Sequence, residues 1–470
     1  MAKLFLNARG SRERGYVLLL TALSMVAIIP IIGMAMDVTL LFMIQTRMSA
    51  AVDAAALAAA RSLSRGTGID SQRDAAMATA RAYFRANFPH GYLMTPNPGT
   101  DPSINVSASD MNMRTVTIDV TVQSPLYFLR MLSLPSSSVR AYGQASRRDV
   151  NVVLVLDRSG SLESAGACGP LKAAAIGFTD KFAEGRDNVG LVTFARSSTK
   201  NFPASINFKT GSPNITDLIT AIVCSGYTAG PSGLNHAYEE LQRLNQPGAL
   251  NVIIFFTDGI PNTMAVDWPV KRDVTPYSPT AASTCDVSIG NTLRGVISPG
   301  SPTRGVYEIT GNVNPPTDRG FIPSSQSTGC RFPAAENEVN KDVAYMPDNN
   351  IWGDRVDGYF GTPPTYTSGP YIGRFRVDNT AGVETAARNA QDRGALRIRS
   401  DATLRPVIYT IGLGDVGATQ HDLLRRMAND PSASNYDSSK AAGLYVFAPT
   451  SSQLDWAFQR IASEILRLSL

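Results

Sequence analysis

Five oxygen-bearing side chains stand close to where short apolar runs of this sequence end. Asp157, Ser159 and Ser161 alternate in Asp157-Arg158-Ser159-Gly160-Ser161, directly after the run NVVLVL at 151–156. Asp258 lies in Thr257-Asp258-Gly259, directly after NVIIFF at 251–256. Thr228 belongs to the intervening stretch Cys224-Ser225-Gly226-Tyr227-Thr228-Ala229-Gly230. Two carboxylates and three hydroxyls make a hard donor set, which suits Mg²⁺ first, with Ca²⁺ or Mn²⁺ as alternatives, rather than Zn²⁺ or Cu²⁺. Neutral hydroxyls leave such an ion electrophilic. A free vertex then favours a carboxylate from a protein partner. The plain alternatives are that Asp157 and Ser159 cap a helix and that Asp258-Gly259 is an ordinary turn.

The elements that must hold these residues follow from the pattern. Runs 151–156, 189–194, 251–256 and 407–411 are Val- and Ile-rich, as expected of strands buried on both faces. Helical stretches at 171–184, 215–223, 234–244, 381–399, 420–428 and 454–468 alternate with them, and 444–447 reads as a further short strand. Alternation of this kind predicts an α/β fold with a doubly wound, mostly parallel, Rossmann-like sheet. Ligands of such sheets bind at the carboxyl ends of strands, where Asp157 and Asp258 stand.

D-x-S-x-S after a buried strand, a suitably spaced threonine and T-D-G resemble the metal-ion-dependent adhesion site of von Willebrand factor A domains. The resemblance covers residues 149–470 apart from an insertion at about 265–379. It implies that Ser159 and Ser161 bind metal directly. Thr228 would do so in at least one state, and Asp157 and Asp258 directly or through water. One departure is Tyr227, where many relatives have glycine.

Upstream, residues 16–36 read YVLLLTALSMVAIIPIIGMAM, without a charged side chain. As a helix this span is roughly 32 Å long, enough to cross a bilayer's hydrocarbon core. Lys3, Arg9, Arg12 and Arg14 precede it, so the N-terminus is expected in the cytoplasm and the rest beyond the membrane. The competing reading is a cleaved signal peptide with Gly33-Met34-Ala35 as its site. The apolar run is long for that role.

Residues 48–63 are alanine-rich and helical in pattern, serving as a spacer or as a packing surface for a partner. A second helix is expected at 71–87. Val116, Ile118, Val120 and Val122 alternate with polar residues, which marks a half-buried strand, with 104–106 and 139–141 as candidate neighbours. Arg14-Gly15, the apolar span, Asp37 and AAVDAAALAAA resemble the N-terminal region of TadE/TadG-type proteins of Tad/Flp pilus assembly, over roughly residues 10–146. Prepilin-like members carry Glu five residues after the cleavage glycine, and Leu20 stands there. Processing by a prepilin peptidase and polymerisation are therefore not implied.

The expected organisation is a basic flank and transmembrane helix over 1–36, a small α+β region over 37–147, and an A-type domain over 148–470. The insertion at 265–379 is rich in Pro, Gly, Ser and Thr; a loop this long is read either as shaping the partner surface or as a passive elaboration. Among four cysteines, a Cys168–Cys224 disulfide would staple the two loops of the site, and Cys285 and Cys330 could close a loop in the insertion. The net charge of +4 over 470 residues is too weak for nucleic acid as the main partner. Three scattered histidines supply neither a zinc site nor a Ser-His-Asp triad, so no enzyme is expected. The expectation is a protein anchored once in a bacterial inner membrane, its C-terminal domain periplasmic or extracellular. It would be a metal-dependent binding module that assists pilus assembly or adhesion. The alternative is a structural subunit in which the metal only stabilises the fold.

Overall fold

The computed structural model describes residues 10–63, 69–96, 99–109, 113–269, 292–297, 312–313, 316–317, 345–369, 371–415 and 417–469. The chain opens with α1 (Gly10–Ser62), one continuous helix that carries Pro30. Its first half is long and apolar enough to cross a membrane, and large side chains from Tyr16 to Met43 are exposed. Its second half is packed. Ala51, Ala55, Ala56, Ala59 and Ala60 are buried against α2 (Ile69–Asn87) and the antiparallel sheet β1 (Ser103–Ser109), β2 (Met113–Pro125) and β3 (Ser136–Arg148). The small side chains therefore serve contacts within the chain. A β-carbon on Gly143 of β3 would come within 2.5 Å of Val52 Cγ1, so glycine permits the close approach. Pairings Ile104↔Ile118, Val106↔Val116, Val120↔Ala141 and Val122↔Val139 place the two candidate neighbours on either side of β2.

β3 passes into β4 (Val150–Asp157) across a buried polar junction. Gln72 Nε2 donates to Glu184 O at 2.8 Å, Gln72 Oε1 accepts from Arg114 Nη1 at 2.8 Å, and Arg148 N donates to Ser469 O at 2.7 Å. Asp187 receives Arg186 at 2.5 Å and lies 3.9 Å from Arg147. The N-terminal body is thus fused to the larger domain.

That domain continues with α3 (Gly160–Ser164), α4 (Cys168–Thr179), β5 (Asn188–Phe194), β6 (Ser198–Ser205), α5 (Ile215–Thr220), α6 (Gly230–Leu244) and β7 (Leu250–Thr257). The hairpin β8 (Met264–Pro269) and β9 (Thr292–Ile297) and the two-residue strands β10 (Asn312–Val313) and β11 (Pro316–Thr317) follow. Then come α7 (Thr380–Arg399), β12 (Val407–Leu413), α8 (Ala418–Ala428), β13 (Tyr445–Ala448) and α9 (Leu454–Leu468).

The sheet order is β13-β12-β7-β4-β5-β6, parallel except for the edge strand β6. Alternate residues of β4 face opposite layers. Val152 and Leu154 pack with Phe178 of α4 and Phe458 of α9. Val153 and Val155 pack with Leu234 of α6, Ile398 of α7 and Leu423 of α8. Each such side chain stabilises the fold by roughly 1.5–3 kcal/mol when fully buried. α6 begins four residues earlier than its apolar pattern, because Gly230-Pro231 starts the helix with a proline that needs no amide partner.

Candidate functional site

β4 is followed by β5 on one side of it, and β7 returns on the other. The chain therefore switches direction between β4 and β7, and a crevice opens at their carboxyl ends. The register Leu156↔Phe256 brings those two ends level. Asp157 and the Thr257-Asp258 turn consequently leave the sheet side by side.

The side chains interlock there. Asp157 is fully buried; its Oδ1 accepts from Ser159 N at 2.8 Å and its Oδ2 from Thr257 Oγ1 at 2.6 Å. Ser159 Oγ lies 3.0 Å from Ser161 Oγ. Both hydroxyls donate to Asp258 Oδ1, at 3.3 and 2.9 Å. A β-carbon placed on Gly259 would lie 3.4 Å from Thr228 Oγ1 and 3.9 Å from Ser161 Oγ. Thr228 and Ser161 thus border one small space beside the Asp258 turn, and Gly259 leaves it open. Asp157, Ser159, Ser161, Thr228 and Asp258 all come together at this rim.

Backbone bonds clamp the three loops. Ser225 N donates to Arg158 O at 2.7 Å, Gly160 N to Gly226 O at 3.1 Å, and Ala229 N to Ala195 O at 2.7 Å. Asn262 holds Thr228 from both sides: its Oδ1 accepts Thr228 N at 2.8 Å, and its own N donates to Thr228 O at 3.1 Å. Nothing in the sequence pattern singles out Asn262, because its role arises only when the loop after β7 meets the loop before α6. Cys168, at the start of α4, is bonded to Cys224, with 6.1 Å between α-carbons. The staple between the two loops, expected from their positions, is present. Cys285 and Cys330 lie outside the described residues.

Electrostatically the site is short of positive charge. Burial, followed by the neighbouring Asp258 carboxylate, pushes the Asp157 carboxyl up to about 7. Burial also raises Asp258, against the hydroxyls of Ser161 and Ser159 that favour its ionised form. Among the described residues, no arginine or lysine figures in either shift. A buried and a half-buried carboxylate beside neutral hydroxyls form a donor set that fits a hard divalent cation, whose charge would offset the burial. The Arg196 guanidinium lies 5.1 Å from the centre of the Tyr227 ring, so a basic side chain packs on the residue that precedes Thr228.

The described part of the insertion braces α6, the helix that follows Thr228. Trp352 Nε1 donates to Glu239 Oε1 at 3.0 Å, and its ring meets His236 edge-on. Asp354 is buried, accepts from Arg397 Nε at 2.8 Å and lies 3.4 Å from Asn235 Nδ2 of α6.

Residues 152–260 match the von Willebrand factor type A domain, and residues 15–62 match the Flp pilus-assembly TadE/G-like family. The chain therefore joins a TadE/G-like N-terminal segment to an A-type domain. No curated protein matches it. Among solved structures it is similar to the pilus adhesin SpaC from Lactobacillus rhamnosus GG, at 13% identity and TM-score 0.35, over 78% of this chain and 35% of that one. The chain thus spans about a third of that protein. It is also similar to the PilB minor pilin from Streptococcus sanguinis, at 15% identity and TM-score 0.37, over 79% of each chain. The vWF domain of the type V pili tip protein Mfa5 from Porphyromonas gingivalis shares 17% identity at TM-score 0.34, over 69% of this chain and 98% of that one. At this level of similarity they say nothing of ligand or partner.

Proposed function

We propose that this protein is a single-pass inner-membrane protein of the bacterial envelope whose A-type domain, facing the periplasm or the exterior, grips an acidic protein partner through a divalent cation, most simply Mg²⁺, during Tad/Flp pilus assembly or surface adhesion. One observation carries the reading: five side-chain oxygens from three loops meet at the switch point of the sheet, with Ser159 and Ser161 sharing one oxygen of Asp258. The role proposed is binding, not turnover. Ser159, Ser161 and Thr228 would hold the cation with Asp157 and Asp258 behind them, and the under-neutralised ion would accept a partner carboxylate. Arg196, packed on Tyr227, would steer an acidic surface.

The test is capture of partners from detergent-solubilised membranes by the full chain, with Mg²⁺ or with EDTA. Ser161 is exposed, so Ser161→Ala leaves the fold intact. Loss of the same captured proteins on chelation and in Ser161→Ala supports the reading. Capture that persists in both points to the second one, a structural subunit in which the cation only stabilises the fold. The complete burial of Asp157 is what favours that alternative.

A further inference from the structure

The turn between β2 and β3 has the wrong composition for water. Apart from Arg130 and Ser133, residues 126–135, LYFLRMLSLP, are apolar or aromatic. Hairpin connections in water favour Gly, Asn, Asp and Ser. Here Leu126 N closes the turn on Pro135 O at 3.0 Å, and Met131 is left 85% exposed, Leu134 53% and Tyr127 48%. Apolar side chains gathered on one short turn mark an interaction surface.

Its position says which surface. The Asp37 carboxylate, buried at the end of the apolar span, accepts three amides of the turn: Tyr127 N at 3.0 Å, Phe128 N at 2.9 Å and Leu129 N at 2.7 Å. Phe128 lies against α1 where a β-carbon on Gly33 would be 2.3 Å from its Cγ. Gly33 is one helical turn before Asp37, roughly 6 Å further into the span. Exposed Val38, Phe42 and Met43 continue the apolar face of α1 past this point. Tyr127 Oη donates to the sulfur of Met94, which is itself exposed. The turn, Met94 and the helix therefore form one continuous apolar surface. Asp37 is the polar residue that would interrupt it, and its carboxylate is spent on the turn's amides.

We propose that residues 126–135 lie in the headgroup–acyl boundary of the leaflet nearest the folded domains, as a second membrane contact that sets the tilt of the body relative to α1. Tyr127 and Phe128 occupy the depth that aromatic side chains favour, and Arg130 reaches lipid phosphates. The occupant is lipid because the patch is continuous with a membrane span. The proposal rests on α1 crossing a membrane, so the experiment carries a control for that.

Met131→Trp is made in the full chain and reconstituted into phosphatidylcholine–phosphatidylglycerol vesicles whose acyl chains carry bromine near the headgroup or near the bilayer centre. Val26→Trp, within the span, is the reference, and the native tryptophan signal is subtracted. The added Met131→Trp emission is expected to be blue-shifted, lost to shallow bromine more than to deep bromine, and protected from aqueous acrylamide. Loss to acrylamide with indifference to bromine, while the Val26→Trp signal is lost to bromine, overturns the proposal and leaves the span intact. Protection from both quenchers means that a protein surface covers the turn, which also overturns it. Indifference of both variants to bromine removes the span itself.

Discussion

Replacing Asp157 by Asn should stabilise the cation-free protein and abolish its response to Mg²⁺. The Asp157 carboxyl is fully buried and, through burial and then Asp258, held up to about 7 against an ordinary 3.8. The native state therefore binds this proton more tightly than the unfolded chain does. The group's contribution to stability falls as pH rises from about 4 to about 7, and the full penalty persists above that window. Three units at about 1.4 kcal/mol each set the penalty at roughly 4 kcal/mol. The amide removes the charge but weakens one bond, to Ser159 N or to Thr257 Oγ1, for a loss of about 1–2 kcal/mol. At pH 8 in EDTA, Asp157→Asn should thus be more stable by about 2–3 kcal/mol; at pH 5 the penalty falls to roughly 2 kcal/mol, so the advantage should all but vanish. With Mg²⁺ at about 100 times its dissociation constant, the wild type should gain about 2.7 kcal/mol and the variant nothing. Denaturant titration of the full chain in detergent, at both pH values and with either additive, reads all four numbers. A variant that is less stable than wild type in EDTA at both pH values, or that gains as much from Mg²⁺, would refute the reasoning.

Other perturbations test the supports of the site. Asn262→Ala releases Thr228 without touching the five oxygens, and should weaken Mg²⁺ binding about tenfold by calorimetry; an unchanged affinity would remove Thr228 from the ligand set. Replacing both Cys168 and Cys224 by Ser opens a link spanning 56 positions, and should cost about 3–4 kcal/mol in denaturant titration. A smaller loss that spares Mg²⁺ affinity would mean the staple does not shape the site. Burial alone would raise the Asp187 carboxyl, but Arg186 and then Arg147 outweigh it and hold it below its ordinary value. Its contribution is therefore complete above the ordinary carboxylate pKa and lost as pH falls through the depressed one. Asp187→Asn should destabilise by about 3–5 kcal/mol at pH 7, a gap that narrows below about pH 4. A gap independent of pH would mean the arginines do not depend on that charge.

Much of this was legible because it rests on local pattern. The buried strands β4, β5, β7 and β12 are nearly unbroken apolar runs, and polar residues end β4 and β7 at the site. Alternation at Val116–Val122 marked β2 as half-buried, and both candidate neighbours pair with it. Other features were hidden for physical reasons. β6, STKNFPAS, is an edge strand with a polar majority and a proline, which its own residues do not announce. The hairpin β8–β9 lies in a segment whose composition reads as loop. The structural role of Asp37 is invisible in the local pattern, because the three amides it holds lie about ninety residues downstream. The alanine stripe of α1 could have faced a partner, and only tertiary packing against α2 and β3 uses it within the chain.

The proposed binding role requires one divalent cation among Asp157, Ser159, Ser161, Thr228 and Asp258. Anomalous diffraction from crystals of the protein grown with Mn²⁺ tests it most directly. A single strong peak is expected within about 2.0–2.4 Å of the Ser159 and Ser161 hydroxyls, absent from Ser161→Ala crystals. Electron density at that rim with no anomalous peak, at millimolar Mn²⁺ and pH 8, would contradict it.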